Sequence, residues 1–380
     1  MKKLLVVLLG MVLMFNMVGC SGGSGNAVQE DVTGETGETD ETGEGESAES
    51  KSGVETDIKV SEDKIAAASK EELGDWEKEY TKNYAPDGEE TFTWGFIDMG
   101  YQDTFTTKIR NTFTSYCEKN FPNVTVLEAD GELDPNIQLQ LAENFIAQGV
   151  DCIIIIPQDA DGCVGVVDTC MAEGMPLVCL NSVIRSDHLE KEIGYVGSSN
   201  YEAGKLQAEW MIENVDDTET VIMCYQKGSD GYDHSAQRYN GLFDTLDEAG
   251  YNYDCKAVLI SEYMRDVAMT NAEDWITSFG EEIQVIACCN DESAMGTLQA
   301  YQAAGIVDNV KILGIDANQD CLKEVEAGTI ACTVFQNAMG QAKWGAISAY
   351  DACVNGKKET TSFSIPFETV DANNVDQYLD

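Results

Sequence analysis

The sequence predicts an α/β fold of two lobes, each a parallel sheet with helices on both faces. Three observations carry this. Short, wholly apolar runs such as Cys152–Ile156 and Val285–Cys289 have the character of strands buried on both faces. Segments with apolar residues at three- and four-residue spacing separate them, as expected of helices laid on a sheet. The alternation runs once from Thr91 to Asn181 and starts again at Gly194, giving two βα series of similar size. A chain of 380 residues is too long for one small core and long enough for two such lobes with extensions.

At the start, Lys2 and Lys3 precede a mostly apolar stretch, Leu4–Val18, that ends at Gly19-Cys20. Residues 1–20 resemble a bacterial lipoprotein signal, which implies lipidation of Cys20 and an anchor on the outer face of the cell membrane. A plain secretory signal or an N-terminal membrane anchor is the alternative. Residues 21–90 open with Ser21-Gly22-Gly23-Ser24-Gly25 and continue as Gly, Glu, Thr and Ser, with nine acidic and no basic residues from Glu30 to Glu49. Such a segment has too little apolar surface to offset its ordering entropy, so it reads as an extended tether. Capping-box spacing at Ser69 and Glu72 allows a short helix within Ser61–Tyr84.

The folded part is expected from Thr91. Thr91–Ile97 is a strand, and Phe105, Ile109, Phe113 and Tyr116 mark one face of a helix from Thr104 to Asn120. Val124–Ala129, Cys152–Ile156 and Leu177–Leu180 are the next strands, with helices over Pro135–Gly149 and up to Gly174 between them. The second series runs through the strand Gly194–Val196, the helix Glu202–Asn214, the strand Thr220–Tyr225 and the loop Gly228–His234. It continues with the helix Ala236–Gly250, the strand Lys256–Ile260 and the helix Val267–Phe279. The clearest unit is 284–318. Its first strand ends at Asn290, and a helix follows with Ala294, Leu298, Tyr301 and Ala304 on one face and Gly305 as its stop. A second strand, Val310–Ile315, ends at Asp316. Ligands of open α/β sheets collect beyond the carboxyl ends of strands, so Asn290 and Asp316 should face one site. Glu324–Gly328, the strand Ala331–Gln336, the helix Gly340–Asn355 and an extended stretch from Phe363 complete the chain.

Composition narrows the function. With 68 Asp and Glu against 23 Lys and Arg, the net charge is −45, which repels nucleic acid and anionic lipid headgroups. The 13 cysteines include no CxxC, and most lie inside apolar strands, so buried reduced thiols are expected rather than a disulfide framework or a metal site. The vicinal Cys288 and Cys289 should point to opposite faces of their strand. No GxSxG, HExxH or P-loop is present, and enzyme activity is not expected.

Cys288–Gly305 with Ile312–Asp316 and Thr333–Gln336 resembles the second lobe of periplasmic sugar-binding proteins of the ribose and glucose/galactose type. The likeness continues through Gln158–Asp161, Pro176–Asn181, Tyr195–Gly204 and Arg238–Gly241, and so covers roughly Thr91–Val375. It implies two Rossmann-like lobes joined by three crossovers, near Ser198–Asn200, Gln336–Asn337 and Ser364–Phe367, the type I periplasmic-binding-protein fold. The lobes would be 91–198 plus 337–364 and 199–336 plus 365–380. By resemblance the ligand-binding residues are Asp103, Phe105, Asn181, Arg238, Tyr263, Asn290, Asp316 and Gln336. Carboxylates, amides and a guanidinium suit sugar hydroxyls, which both donate and accept, and an aromatic face suits the C–H side of the ring.

The residues themselves allow other roles. Asp103 and Asn290 could be helix caps, Phe105 core, Asp316 a turn residue, and Arg238 a surface ion pair. His234 and His188 read as surface-loop residues, with His234 able to edge the site. Thr106 after Phe105, Ile156, and Asn181-Ser182 depart from the ribose type; Asn181 and the lone Phe105 lean toward glucose/galactose, without its calcium loop.

The resemblance implies a monomeric lipoprotein that needs no cofactor and delivers a monosaccharide, a hexose before a pentose, to the permease of an ABC importer. The alternatives are a sugar receptor feeding a sensor kinase or chemoreceptor, the sensing core of a sugar-responsive repressor, or a binder of a nucleoside or furanosyl signal. Arg238→Ala should abolish tight binding and leave the fold intact.

Overall fold

A computed structural model describes residues 90–379 apart from 190, 355, 357 and 358. The signal-like segment, Cys20, the acidic tether up to residue 89 and the short helix expected within Ser61–Tyr84 lie outside the described residues.

The first series forms β1 (Phe92–Asp98), α1 (Thr104–Asn120), β2 (Val124–Asp130), α2 (Pro135–Gln148), β3 (Cys152–Ile155), α3 (Val164–Glu173) and β4 (Leu177–Leu180), and β5 (Gly194–Gly197), expected to open the second series, instead pairs with β4 in the first sheet. The second forms α4 (Asn200–Asn214), β6 (Val221–Lys227), α5 (Asp233–Ala249), β7 (Tyr253–Ile260), α6 (Arg265–Phe279), β8 (Val285–Cys288), α7 (Asp291–Ala304), β9 (Lys311–Leu313), α8 (Gln319–Ala327) and β10 (Cys332–Phe335). The chain ends with α9 (Ala338–Val354), β11 (Phe363–Ser364) and β12 (Glu368–Asp371).

Two six-stranded sheets result, in the orders β11-β5-β4-β3-β1-β2 and β12-β10-β9-β8-β6-β7. Each belongs to its own α/β lobe. The expectation of wholly parallel sheets fails at one strand, since β12 pairs antiparallel with β10. The reason is the short link Ile365–Phe367. β11 runs parallel to β5 towards the carboxyl edge of the first sheet. With no room for a crossover helix, the chain enters the second sheet from that sheet's own carboxyl edge and must run back along it.

The cores follow the periodicity. In the first lobe α1 and α9 cover one face around Phe96, Phe113, Phe121 and Trp344, while α2 and α3 cover the other. In the second, α6, α7 and α8 cover one face, and α4 and α5 the other. Cys288 and Cys289 pack into these two opposite clusters, as strand alternation requires. Gly305 closes α7 in the left-handed conformation, although Ala304, expected on the packed face, is exposed. The described cysteines are free and mostly buried; burial pushes the Cys170 thiol up to about 12. Among the described residues no helix is long and apolar enough to cross a membrane.

Strand order reverses between β1 and β3 in the first sheet and between β6 and β8 in the second. A crevice opens at the carboxyl edge of each sheet at these points. The segments leaving β1 and β4 of the first sheet and β6, β7, β8, β9 and β10 of the second carry the residues of the site.

Candidate functional site

A cavity of about 370 Å³ lies between the two carboxyl edges. The first lobe lines it with Asp103, Phe105 and Asn181; the second with Arg238, Tyr263, Asn290, Asp316 and Gln336. All eight residues singled out from sequence therefore meet at one cavity.

Several of the local alternatives hold at the same time. Asp103 is the N-cap of α1, its Oδ1 accepting from the Thr106 amide at 2.7 Å, and it still borders the cavity. Phe105, 8% exposed, belongs to the first core and reaches the cavity from there. Asn290 caps α7, its Oδ1 accepting from the Ser293 amide at 3.0 Å and hydroxyl at 2.6 Å, while its Nδ2 donates to the Tyr263 carbonyl at 3.3 Å. Asn181 leaves β4 with φ +63. The Tyr195 hydroxyl bonds the Asn181 carbonyl at 2.9 Å, and Asn181 Nδ2 donates to Gln341 at 3.1 Å.

Arg238 is not a surface ion pair. It is 5% exposed and donates from Nε to Asn200 Oδ1 at 2.9 Å, from Nη1 to the Cys289 carbonyl at 2.6 Å, and from Nη2 to Gln336 Oε1 at 3.1 Å. Nη2 also lies 4.0 Å from Asp316 Oδ1. Close helix packing makes this possible. A Cβ on Gly204 of α4 would stand 1.9 Å from the Arg238 carbonyl, and one on Gly241 of α5 would stand 2.0 Å from the Tyr201 carbonyl. Two glycines thus bring the helices together backbone to backbone and set Arg238 beside Asn200.

Asp316, 5% exposed, has φ +121, and Ala317 follows at +54. Backbone strain of this kind persists only where the surroundings impose it. Here the Asp316 amide is held by the Val334 carbonyl at 2.8 Å, and the turn beyond it is braced by Asp291. Its carboxylate, 1% exposed as part of a buried residue, accepts from Thr333 Oγ1 at 2.6 Å and from the Asn318 amide at 2.7 Å. The Ala317 amide donates to the same Thr333 hydroxyl at 3.3 Å. Burial pushes the Asp291 carboxyl up to about 7, against the pull of these hydrogen bonds. It also raises Asp316 well above the usual carboxylate range, although Arg238 opposes that.

Sequence reasoning missed part of the wall. Tyr232, Leu133, Glu262 and Asn318 also line the cavity, and His234, expected only as able to edge it, is part of the wall. His234 is not a surface-loop residue: α5 begins at Asp233, which turns the imidazole between Tyr232 and Tyr263, each ring centre 5.1 Å away. Burial, and secondarily Arg238, holds its pKa down at about 3, so it is neutral at physiological pH. His188 is on the surface, 3.0 Å from Glu192. A faint repeat could have found Leu133. Glu132-Leu133 after β2 and Glu262-Tyr263 after β7 occupy matching places in the two lobes, and all four residues have φ between 52 and 62. Ile156, where the ribose type has asparagine, is fully buried in the first core. Among the described residues no group of three or more His, Cys, Asp or Glu is gathered as a metal would need.

Comparison with known proteins agrees with this architecture. The family model for the periplasmic binding protein domain matches residues 95–358. A candidate rhizopine-binding protein of Rhizobium meliloti is 30% identical over 284 residues, 73% of this chain and 89% of that protein. A xylitol-binding protein of Mycolicibacterium smegmatis is 27% identical over 275 residues, 72% of this chain and 75% of that one. The crystal structure of an ABC transporter solute binding protein from Bacillus halodurans with bound myo-inositol is similar with TM-score 0.70 and 27% identity, covering 77% of this chain and 98% of its own. The chain belongs to the periplasmic binding protein family of ABC-type importers, whose members bind solutes and are not enzymes.

Proposed function

We propose that this protein captures a small polyhydroxylated ligand, a monosaccharide or cyclic polyol, between its lobes and delivers it to an ABC importer. The observation that carries the reading is the convergence on one cavity of a guanidinium, two carboxylates, two Asn side chains, a Gln side chain and two aromatic rings, drawn from both lobes. Each hydroxyl of such a ligand donates one hydrogen bond and accepts others, which suits this mixture. Phe105 and Tyr263 supply apolar faces for its C–H groups. A hexose or another six-carbon polyol is favoured over a pentose. The six-carbon myo-inositol bound by the similar Bacillus halodurans protein supports that preference.

In this reading the lobes are 91–198 plus 337–364 and 199–336 plus 365–380, and the three chain passages between them serve as the hinge. Closure is favoured by the ligand because both sets of groups engage only in the closed form. The protein acts as a monomer without a cofactor, held on the outer face of the membrane through Cys20 and the acidic tether.

The test is thermal unfolding of residues 21–380 with hexoses, pentoses, xylitol, myo-inositol and nucleosides. A ligand at 100 times its Kd adds about 2.7 kcal/mol, a readily measured shift. A saturable shift with one polyol class is expected. A flat response to sugars and polyols beside a shift with a nucleoside would overturn the reading.

A further inference from the structure

Polar contacts join the two lobes directly beside Tyr232, which also lines the cavity. Gln158, just past β3 of the first lobe, donates from Nε2 to the Tyr232 hydroxyl of the second at 3.0 Å. The Tyr232 ring packs against the hydrophobic core of the first lobe, although its backbone precedes α5 of the second. The loops behind these side chains meet as well: a Cβ on Gly231, at φ +92, would stand 3.2 Å from Asp159 Oδ2. Arg185 adds a second connection. Its amide is bound to the Ala160 carbonyl at 2.8 Å, its Nη1 lies 2.5 Å from Asp161 Oδ2 in the same lobe, and its Nη2 lies 3.8 Å from Asp233 Oδ1 in the other.

We infer that Gln158, Tyr232 and Arg185 form a latch that favours the closed arrangement of the lobes without help from a ligand. The contacts are protein to protein and need nothing in the cavity. Moving the lobes apart would strip Tyr232 from an apolar surface, break its bond to Gln158 and separate Arg185 from Asp233. Gln158 and Tyr232 are half-buried and Arg185 is exposed, so the latch biases the equilibrium and does not lock it. A phenol that accepts from Gln158 retains its own O–H to donate into the cavity that Tyr232 lines, which links the latch to whatever is bound. A protein that already populates the closed form binds with an apparent affinity closer to the intrinsic one.

The test uses ligand-free protein, so its failure is separable from a failure of the functional reading. Fluorophores are introduced through unnatural amino acids at the exposed positions Glu143 on α2 and Glu273 on α6, which avoids the native thiols. Single-molecule energy transfer then reports the lobe distance. Wild type should show a substantial closed population. In Gln158→Leu the closed-to-open ratio should fall about fivefold, equivalent to about 1 kcal/mol for one neutral hydrogen bond. Tyr232→Phe, which keeps the ring, should match it, and Arg185→Gln should give a smaller drop. A ligand-free wild type that is almost wholly open would overturn the latch. So would a ratio unchanged in both Gln158→Leu and Tyr232→Phe, two variants that fail independently if either disturbs folding.

Discussion

Replacement of Arg238 by alanine tests how the site is built. The guanidinium binds three separate parts of the second lobe: Asn200 at the start of α4, the Cys289 carbonyl beyond β8 and Gln336 beyond β10. It is also the cation nearest the buried Asp316. Alanine removes all of these bonds and takes the nearest cation away from the Asp316 carboxyl, which burial already holds well above the usual carboxylate range. Breaking a buried pair in this way costs about 3–5 kcal/mol, a large share of the ordinary 5–15 kcal/mol of a folded domain. The expectation that the fold would be untouched therefore has to change, because the same side chain supports the site and the lobe. Urea unfolding of residues 21–380 at pH 7 gives the loss directly. The penalty should shrink on acidification, since protonation of Asp316 removes the charge that Arg238 balanced. Ligand affinity should fall by about 10- to 100-fold, the weight of one charge-assisted hydrogen bond of about 1.5–3 kcal/mol. A stability loss below about 1 kcal/mol would refute the reasoning, for it would mean the guanidinium is solvated and not built into the lobe.

Three further outcomes follow from neighbouring residues. Gly241→Ala should destabilise by at least about 1–3 kcal/mol by forcing α4 and α5 apart, and it should weaken ligand binding as Asn200 leaves Arg238; unfolding midpoints and titration of the variant check both. His234→Gln should gain stability relative to wild type as pH falls from 7 to 4.5. The folded wild type holds this imidazole neutral down to about 3, so it binds fewer protons than the unfolded chain across that window and loses stability on acidification. Asp291→Asn has the opposite pH signature. A carboxyl raised to about 7 makes wild type less stable as pH rises from 4 to 7, so the deficit of the variant should be greatest at the acid end. Its loss of one acceptor for Thr333 or Asn318 should cost about 1–3 kcal/mol when urea midpoints are compared.

Much of the fold was legible because local and tertiary signals agree. The helix Thr104–Asn120 and the strand Leu177–Leu180 appear with the limits expected from periodicity and from an unbroken apolar run. β7 was harder to read. It begins at Tyr253 and not at Lys256, because an edge strand half open to solvent lacks the apolar continuity of the central strands. The direction of β12 depends on where a three-residue link enters the second sheet, which no local pattern encodes. At the site, residues that end strands or cap helices, such as Asn290, Asp316 and Asp103, could be placed by position alone. Tyr232 could not, and His234 only as a residue at the edge, since their place in the wall arises where the first turn of α5 meets Tyr263 and the other lobe. The supporting role of Asp291 was hidden for a similar reason, as its partners Thr333 and Asn318 come from other elements.

The most direct test is a crystal structure of residues 21–380 with the sugar or polyol that gives the largest stabilisation. The account predicts one molecule in the cavity between the lobes, its hydroxyls within hydrogen-bond distance of Asp103 or Asn181 from the first lobe and of Arg238, Asn290 or Asp316 from the second. A ligand bound outside that cavity, or held by the side chains of one lobe alone, would contradict it.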